Sequence, residues 1–131
     1  MKKSGILNPQ LSRVIAETGH TDMLVVTDAG LPIPQEIERV DLSLTAGKPA
    51  FLDVLKEVIA EVEVEKIILA EETEKISPEM YQAILALFPG IPVEVMPHTQ
   101  FKEKTKEAKA AIRSGEFTPY ANIILVAGVV Y

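Results

Sequence analysis

The chain has 131 residues, 47% apolar and 24% charged, with a formal net charge of −6 and a pI near 4.9. That size and composition fit one globular domain over residues 1–131, and an acidic balance without any Lys/Arg block excludes a nucleic-acid backbone as partner. Lack of cysteine excludes disulfides, thiolate nucleophiles and zinc–thiolate sites, and it fits a cytoplasmic protein.

In chain order, Met1-Lys2-Lys3-Ser4-Gly5 carries two lysines but no apolar signal-peptide core. Asn8 followed by Pro9 is an N-cap with proline at the first helical position; Leu11, Val14 and Ile15 share one face, and Gly19 is placed to end the helix. Met23 to Asp28 is a short apolar run rich in branched residues and predicts a strand, followed by a loop over Ala29 to Pro34. Arg39 to Ser43 alternates polar and apolar as a half-buried strand does. Pro49 opens a helix in which Leu52, Leu55, Val58, Ile59 and Val62 recur at helical spacing.

Glu65 to Ala70 predicts another buried strand, and the Glu-rich span Glu57 to Glu74 reads as a solvated face. Ser77-Pro78 repeats the cap-and-proline signal for a helix that Pro89-Gly90 stops. Ile91 to Met96 is a strand, with Pro92 favouring an edge or a strand start. After the break at Pro97-His98, Thr99 is the expected N-cap of a helix through about Ala108. Ala110 to Arg113 fits either a helix end or a short strand, and Asn122 to Val130 is an unbroken apolar run suited to a central strand. The longest apolar stretch, Ile123 to Tyr131, is far short of the roughly 20 residues that span a bilayer, so no membrane partner is expected. Alternating strands and helices predict an α/β fold of three layers, α/β/α, around a Rossmann-like, mostly parallel or mixed sheet of about six strands.

In such sheets ligands bind at the carboxyl ends of the strands. Asp28 closes a strand there, His98 follows another, and Arg113 to Asn122 crowds polar groups, Gly, Pro and Tyr120 before the last strand. Each residue has a plainer role beside the functional one. His20 suits either a helix C-cap or a general acid–base, Asp28 either an Asx-turn or a hydroxyl-gripping carboxylate, and His98 either a surface residue or a site residue. No Gly-x-Gly-x-x-Gly, Gly-Lys-Ser/Thr, Gly-x-Ser-x-Gly or His-x-x-x-His pattern occurs, which leaves a site of His, Asp, Tyr and Asn without cofactor or metal.

Four segments in register, Lys3-Ser4-Gly5-Ile6-Leu7-Asn8, Gly19-His20-Thr21-Asp22, Asp28-Ala29-Gly30-Leu31-Pro32 and Arg113 to Asn122, resemble the D-ribose pyranase family. These are bacterial sugar mutarotases related to L-fucose mutarotase. The resemblance implies that His20 is the catalytic proton donor and that Asp28, His98, Tyr120, Ala121 and Asn122 contact the sugar. It further implies a homo-oligomer, a decamer of two pentameric rings with sites at subunit interfaces. Lys102, one helical turn beyond His98, reaches the same expected pocket. Ring opening and reclosure need only positioned acids and bases, so the chemistry suits these residues. A mutarotase of another aldose such as L-fucose, a non-catalytic sugar-binding module and an aldose isomerase acting between C1 and C2 are the competing readings.

Overall fold

A computed structural model describes residues Met1–Tyr131. Helix α1 (Pro9–Ala16) starts as expected: Asn8 Oδ1 accepts the Leu11 N–H at 2.8 Å, and Leu11 and Val14 are buried. It ends at Ala16, with Glu17 as its cap, so Gly19 lies beyond the helix instead of ending it. The Gly19 N–H donates to Asp22 Oδ2 at 2.9 Å, and Thr21 takes the left-handed position of this turn, φ +69°.

Apolar runs with branched residues then alternate with amphipathic segments. They give β1 (Met23–Thr27), β2 (Glu38–Asp41), α2 (Phe51–Ile59), β3 (Val64–Ala70), α3 (Glu71–Ile76) and α4 (Pro78–Ala86). The chain continues through β4 (Val93–Met96), α5 (His98–Thr105), β5 (Ala110–Arg113) and β6 (Ile123–Ala127). Three local expectations are corrected. The Glu-rich span holds the short helix α3 as well as solvated residues. Ser77 occupies the cap position of α4 but spends its hydroxyl on Pro119 O at 2.7 Å. Thr99 lies inside α5, whose cap position is Pro97. The ambiguous Ala110–Arg113 segment is a strand because it pairs with β1 on one side and β2 on the other.

The six strands form one sheet in the order β2-β5-β1-β6-β3-β4. All neighbours are parallel except β6, which runs antiparallel between β1 and β3. β4, which Pro92 precedes, is an edge strand, as that proline required. Side chains alternate across the sheet. Leu24, Val26, Ile67, Leu69, Ile123 and Leu125 join the larger core with α1, α2 and α4. Val25, Ile68, Ile124 and Ala111 point the other way, onto Phe101 of α5 and Leu31. Each fully buried Leu or Ile contributes about 1.5–3 kcal/mol, so both faces hold the sheet rigid beneath the loops at its ends. The expected three-layer α/β/α architecture with a mixed six-stranded sheet is what the chain adopts. No helix is long and apolar enough to cross a membrane.

Candidate active site

Parallel strands β1 and β5 deliver their last residues to the same edge of the sheet, and antiparallel β6 begins there. A cleft of about 530 Å³ opens at that edge, lined by the polar side chains of Asp28, His98, Lys102, Arg113, Glu116 and Asn122, with Phe117 exposed on its rim.

Asp28 and Asn122 form its base. Asn122 is almost fully buried; its Oδ1 accepts the Asp28 N–H at 2.9 Å and its Nδ2 donates to Asp28 Oδ2 at 3.1 Å. Asp28 Oδ1 accepts the Gly30 and Leu31 N–H groups at 2.9 and 2.8 Å. The two readings of Asp28 are therefore not alternatives. One oxygen makes the Asx-turn, and the other keeps acceptor capacity at the cleft beside an amide that fixes its direction.

His98 is the first residue of α5, and Lys102 lies one turn further on the same helix. The His98 Nδ1 is buried without a hydrogen-bond partner, which leaves Nε2 as the ring atom available to a ligand. Burial, and next the Lys102 cation, push the imidazole below the ordinary histidine value against the opposing pull of Glu72 and Asp28. At neutral pH His98 is an uncharged acceptor or donor. Tyr120 stands edge-on to it, with ring centroids 4.9 Å apart at 88°. Tyr120 itself has φ +61°, a left-handed conformation that costs a non-glycine residue about 1–2 kcal/mol.

Arg113 to Glu116 builds the floor. The Arg113 guanidinium donates to Ala29 O, Asp41 Oδ2 and Ser43 Oγ at 2.7–3.0 Å, tying β5 to β2 and to the loop after β1. Buried Ser114 donates its hydroxyl to Thr27 O at 2.6 Å. Gly115 lies so close to the neighbouring loop that a Cβ would collide with the carbonyl oxygens of Lys48 and Thr45, the latter at 2.6 Å. Glu116 accepts the Phe51 N–H at 3.1 Å, supplying the N-terminal cap that α2 lacks locally. Burial raises the Glu116 carboxyl, but the Phe51 and Thr118 amides and the Thr118 hydroxyl together outweigh it and hold the group below the usual range. These roles were invisible in the sequence, although the segment's density of polar residues marked it.

His20 is not in this cleft. It precedes β1 while Asp28 follows it, so the five-residue strand separates them by roughly 17 Å. Its Nε2 contacts Glu65 Oε2 at 2.9 Å on the half-exposed opposite edge, beside a smaller depression lined in part by Ala127 to Tyr131. It makes no bond to the carbonyls of α1, so it is not a helix cap either. Within one chain, therefore, His20 and Asp28 do not meet. The Ala121 side chain is fully buried in the larger core, which leaves its backbone as the part that can meet a ligand.

A three-layer mixed sheet whose open end pairs carboxylate, amide, imidazole and ammonium groups defines a small-molecule site suited to a polyhydroxy ligand. Residues 1–130 match the RbsD / FucU transport protein family, and the chain belongs to it. It is similar to the D-ribose pyranase of Geobacillus kaustophilus, 57% identical over 98% of this chain and 95% of that protein. It also resembles the structure of Bacillus subtilis RbsD complexed with D-ribose, at TM-score 0.96 and 48% identity over the whole of both chains. The FucU structure from Bifidobacterium longum is more distant, at TM-score 0.79 and 26% identity over 95% of this chain and 97% of that one.

Proposed function

We propose that this chain is a D-ribose pyranase, a sugar mutarotase that interconverts the pyranose and furanose forms of D-ribose. The observation that carries the reading is the cleft, where Asp28 and Asn122 lock each other's geometry while His98 and Lys102 face them. A close relative of the same length has been solved with D-ribose bound.

The reaction opens the six-membered hemiacetal and closes a five-membered one. A proton goes to the ring oxygen and one leaves the anomeric hydroxyl, giving the open aldehyde. Rotation follows, and the hydroxyl one carbon nearer the aldehyde adds back to it. Positioned acid–base groups contribute about 10²–10⁴-fold to such steps. In this reading Asp28 and Asn122 grip neighbouring hydroxyls, uncharged His98 accepts or donates through Nε2, Lys102 donates to an oxygen, and Tyr120 supplies its phenol beside His98. His20 is the proton donor, and it reaches the sugar from a neighbouring subunit of a ring-shaped oligomer, a decamer of two pentamers. The separation of His20 from the cleft supports this arrangement, since one chain holds both halves of a site but cannot bring them together. Action in the cytoplasm on ribose entering catabolism belongs to the same proposal.

Magnetisation transfer by NMR between pyranose and furanose signals tests the activity: the unaltered protein is expected to accelerate exchange of ribose, and exchange at the water rate sinks the reading. Hydrogen at C2 stays in place in deuterated water if the enzyme is a mutarotase and is lost if it is an aldose isomerase. Subunit sharing is tested by mixing two inactive variants, His20→Ala and Asp28→Ala. Random assembly restores about a quarter of the sites, whereas sites built within one chain stay dead in the mixture.

A further inference from the structure

Helix α3 is six residues long, and half of it faces solvent: Glu74, Lys75 and Ile76 are exposed, and Glu71 pairs with Lys75. Two of its side chains, together with that of Ser77 at its C-cap, make contacts elsewhere. The Glu72 carboxylate accepts the His98 N–H with both oxygens, at 3.0 and 3.2 Å. That N–H is one of the donors left unsatisfied at the start of any helix, and α5 has no side-chain cap of its own. A carboxylate there also complements the positive end of the helix. Fully buried Thr73 donates its hydroxyl to Tyr120 O at 2.8 Å. Ser77, one turn on and buried, donates to Pro119 O at 2.7 Å.

Residues 72–77 therefore hold both walls of the cleft. Glu72 fixes the residue that starts α5, and Thr73 with Ser77 fixes the loop that carries Tyr120 and Asn122. The loop needs holding, because the left-handed Tyr120 persists only where its surroundings over-determine it. The edge-on packing of Tyr120 on His98 follows from anchoring both to the same six residues.

We propose that α3 is a positioning element for sugar turnover, with Glu72 setting His98 and Thr73 setting the Tyr120–Asn122 loop. This rests on the pyranase reading above. Neither residue touches the sugar; each acts through a residue that does. The charged and titratable groups around His98 are Lys102 on its own helix, Glu72 on α3, Asp28 after β1 and Tyr120 before β6. Of these, Glu72 and Asp28 hold the imidazole up, so Glu72→Gln lowers the His98 pKa further.

The test measures ribose exchange against ribose concentration for Thr73→Val, Thr73→Ser, Glu72→Gln and the exposed control Glu74→Gln, with an NMR titration of the His98 ring. Thr73→Val is expected to lose about tenfold in kcat/KM, mainly through KM, with Thr73→Ser within about twofold of the unaltered protein. Glu72→Gln is expected to lose severalfold and to shift the His98 titration to lower pH, and Glu74→Gln to change nothing. Full kcat/KM in Thr73→Val, or equal loss in Thr73→Ser, overturns the role of Thr73. An unmoved His98 titration with unchanged kcat/KM in Glu72→Gln overturns that of Glu72. If Thr73→Val does not fold, Thr73→Ser and Glu72→Gln decide. A lack of acceleration by the unaltered protein counts against the pyranase reading alone, because the His98 titration is read without sugar and still decides the Glu72 contact.

Discussion

The two ends of β1 are built to different standards. At its carboxyl end Asp28 and Asn122 are locked by four hydrogen bonds, and the floor beneath them is stitched through Arg113, Ser114 and Glu116. At its amino end His20 stands half-exposed with one carboxylate partner, Glu65. The carboxyl end is the closed one, fixed by its own hydrogen bonds, while the amino end leaves His20 exposed to whatever lies outside the chain. A difference of this kind separates residues whose replacement damages the fold from residues whose replacement damages only turnover.

That separation can be broken or sharpened by substitution. His20→Ala is expected to slow exchange by about 100-fold or more while its melting temperature stays near that of the unaltered protein, because exposed ion pairs contribute about 0–1 kcal/mol. A large fall in melting temperature would erase the contrast. At the closed end Gly115→Ala is expected to cost about 3 kcal/mol, since the new Cβ meets backbone carbonyls that cannot move aside easily. Thermal unfolding should register this as a drop of roughly 10 °C.

Glu116→Gln removes a charged cap from α2 and is expected to cost about 1 kcal/mol. Its pH dependence has a fixed sign. The folded carboxyl sits below its ordinary value, so its contribution is complete above the unfolded value near 4.5 and disappears as pH falls through the folded one. The stability gap between the two proteins, followed by denaturant titration, should close on acidification below that value. The smallest effect is expected for Glu65→Gln, under about 1 kcal/mol by the same denaturant measurement.

The strands, the three amphipathic helices of the larger core and the Asx-turn at Asp28 were legible because periodicity and capping residues report burial directly. The short α3 was not, since only Thr73 among its six residues is buried and no period emerges from one position. Thr99 misled because a proline and a remote glutamate do the work a local hydroxyl was expected to do. The split of His20 from Asp28 needed no structure: residues flanking one strand lie at its opposite ends. What the sequence could not convey is which long-range partners Arg113 to Glu116 would find, because sheet order decides that.

The position of β6 has a consequence for biosynthesis. It lies between β1 and β3, and β2-β5-β1 and β3-β4 share no ladder without it. Residues 123–127 are the last of the six strands in chain order, so both sub-sheets are made before the piece that joins them. Asn122, which precedes that strand, comes with it. Folding is thus dominated by contacts distant in sequence, the regime in which chains fold slowly. A chain stopped before residue 123 would present two unjoined β-edges to whatever chaperone or protease is nearest.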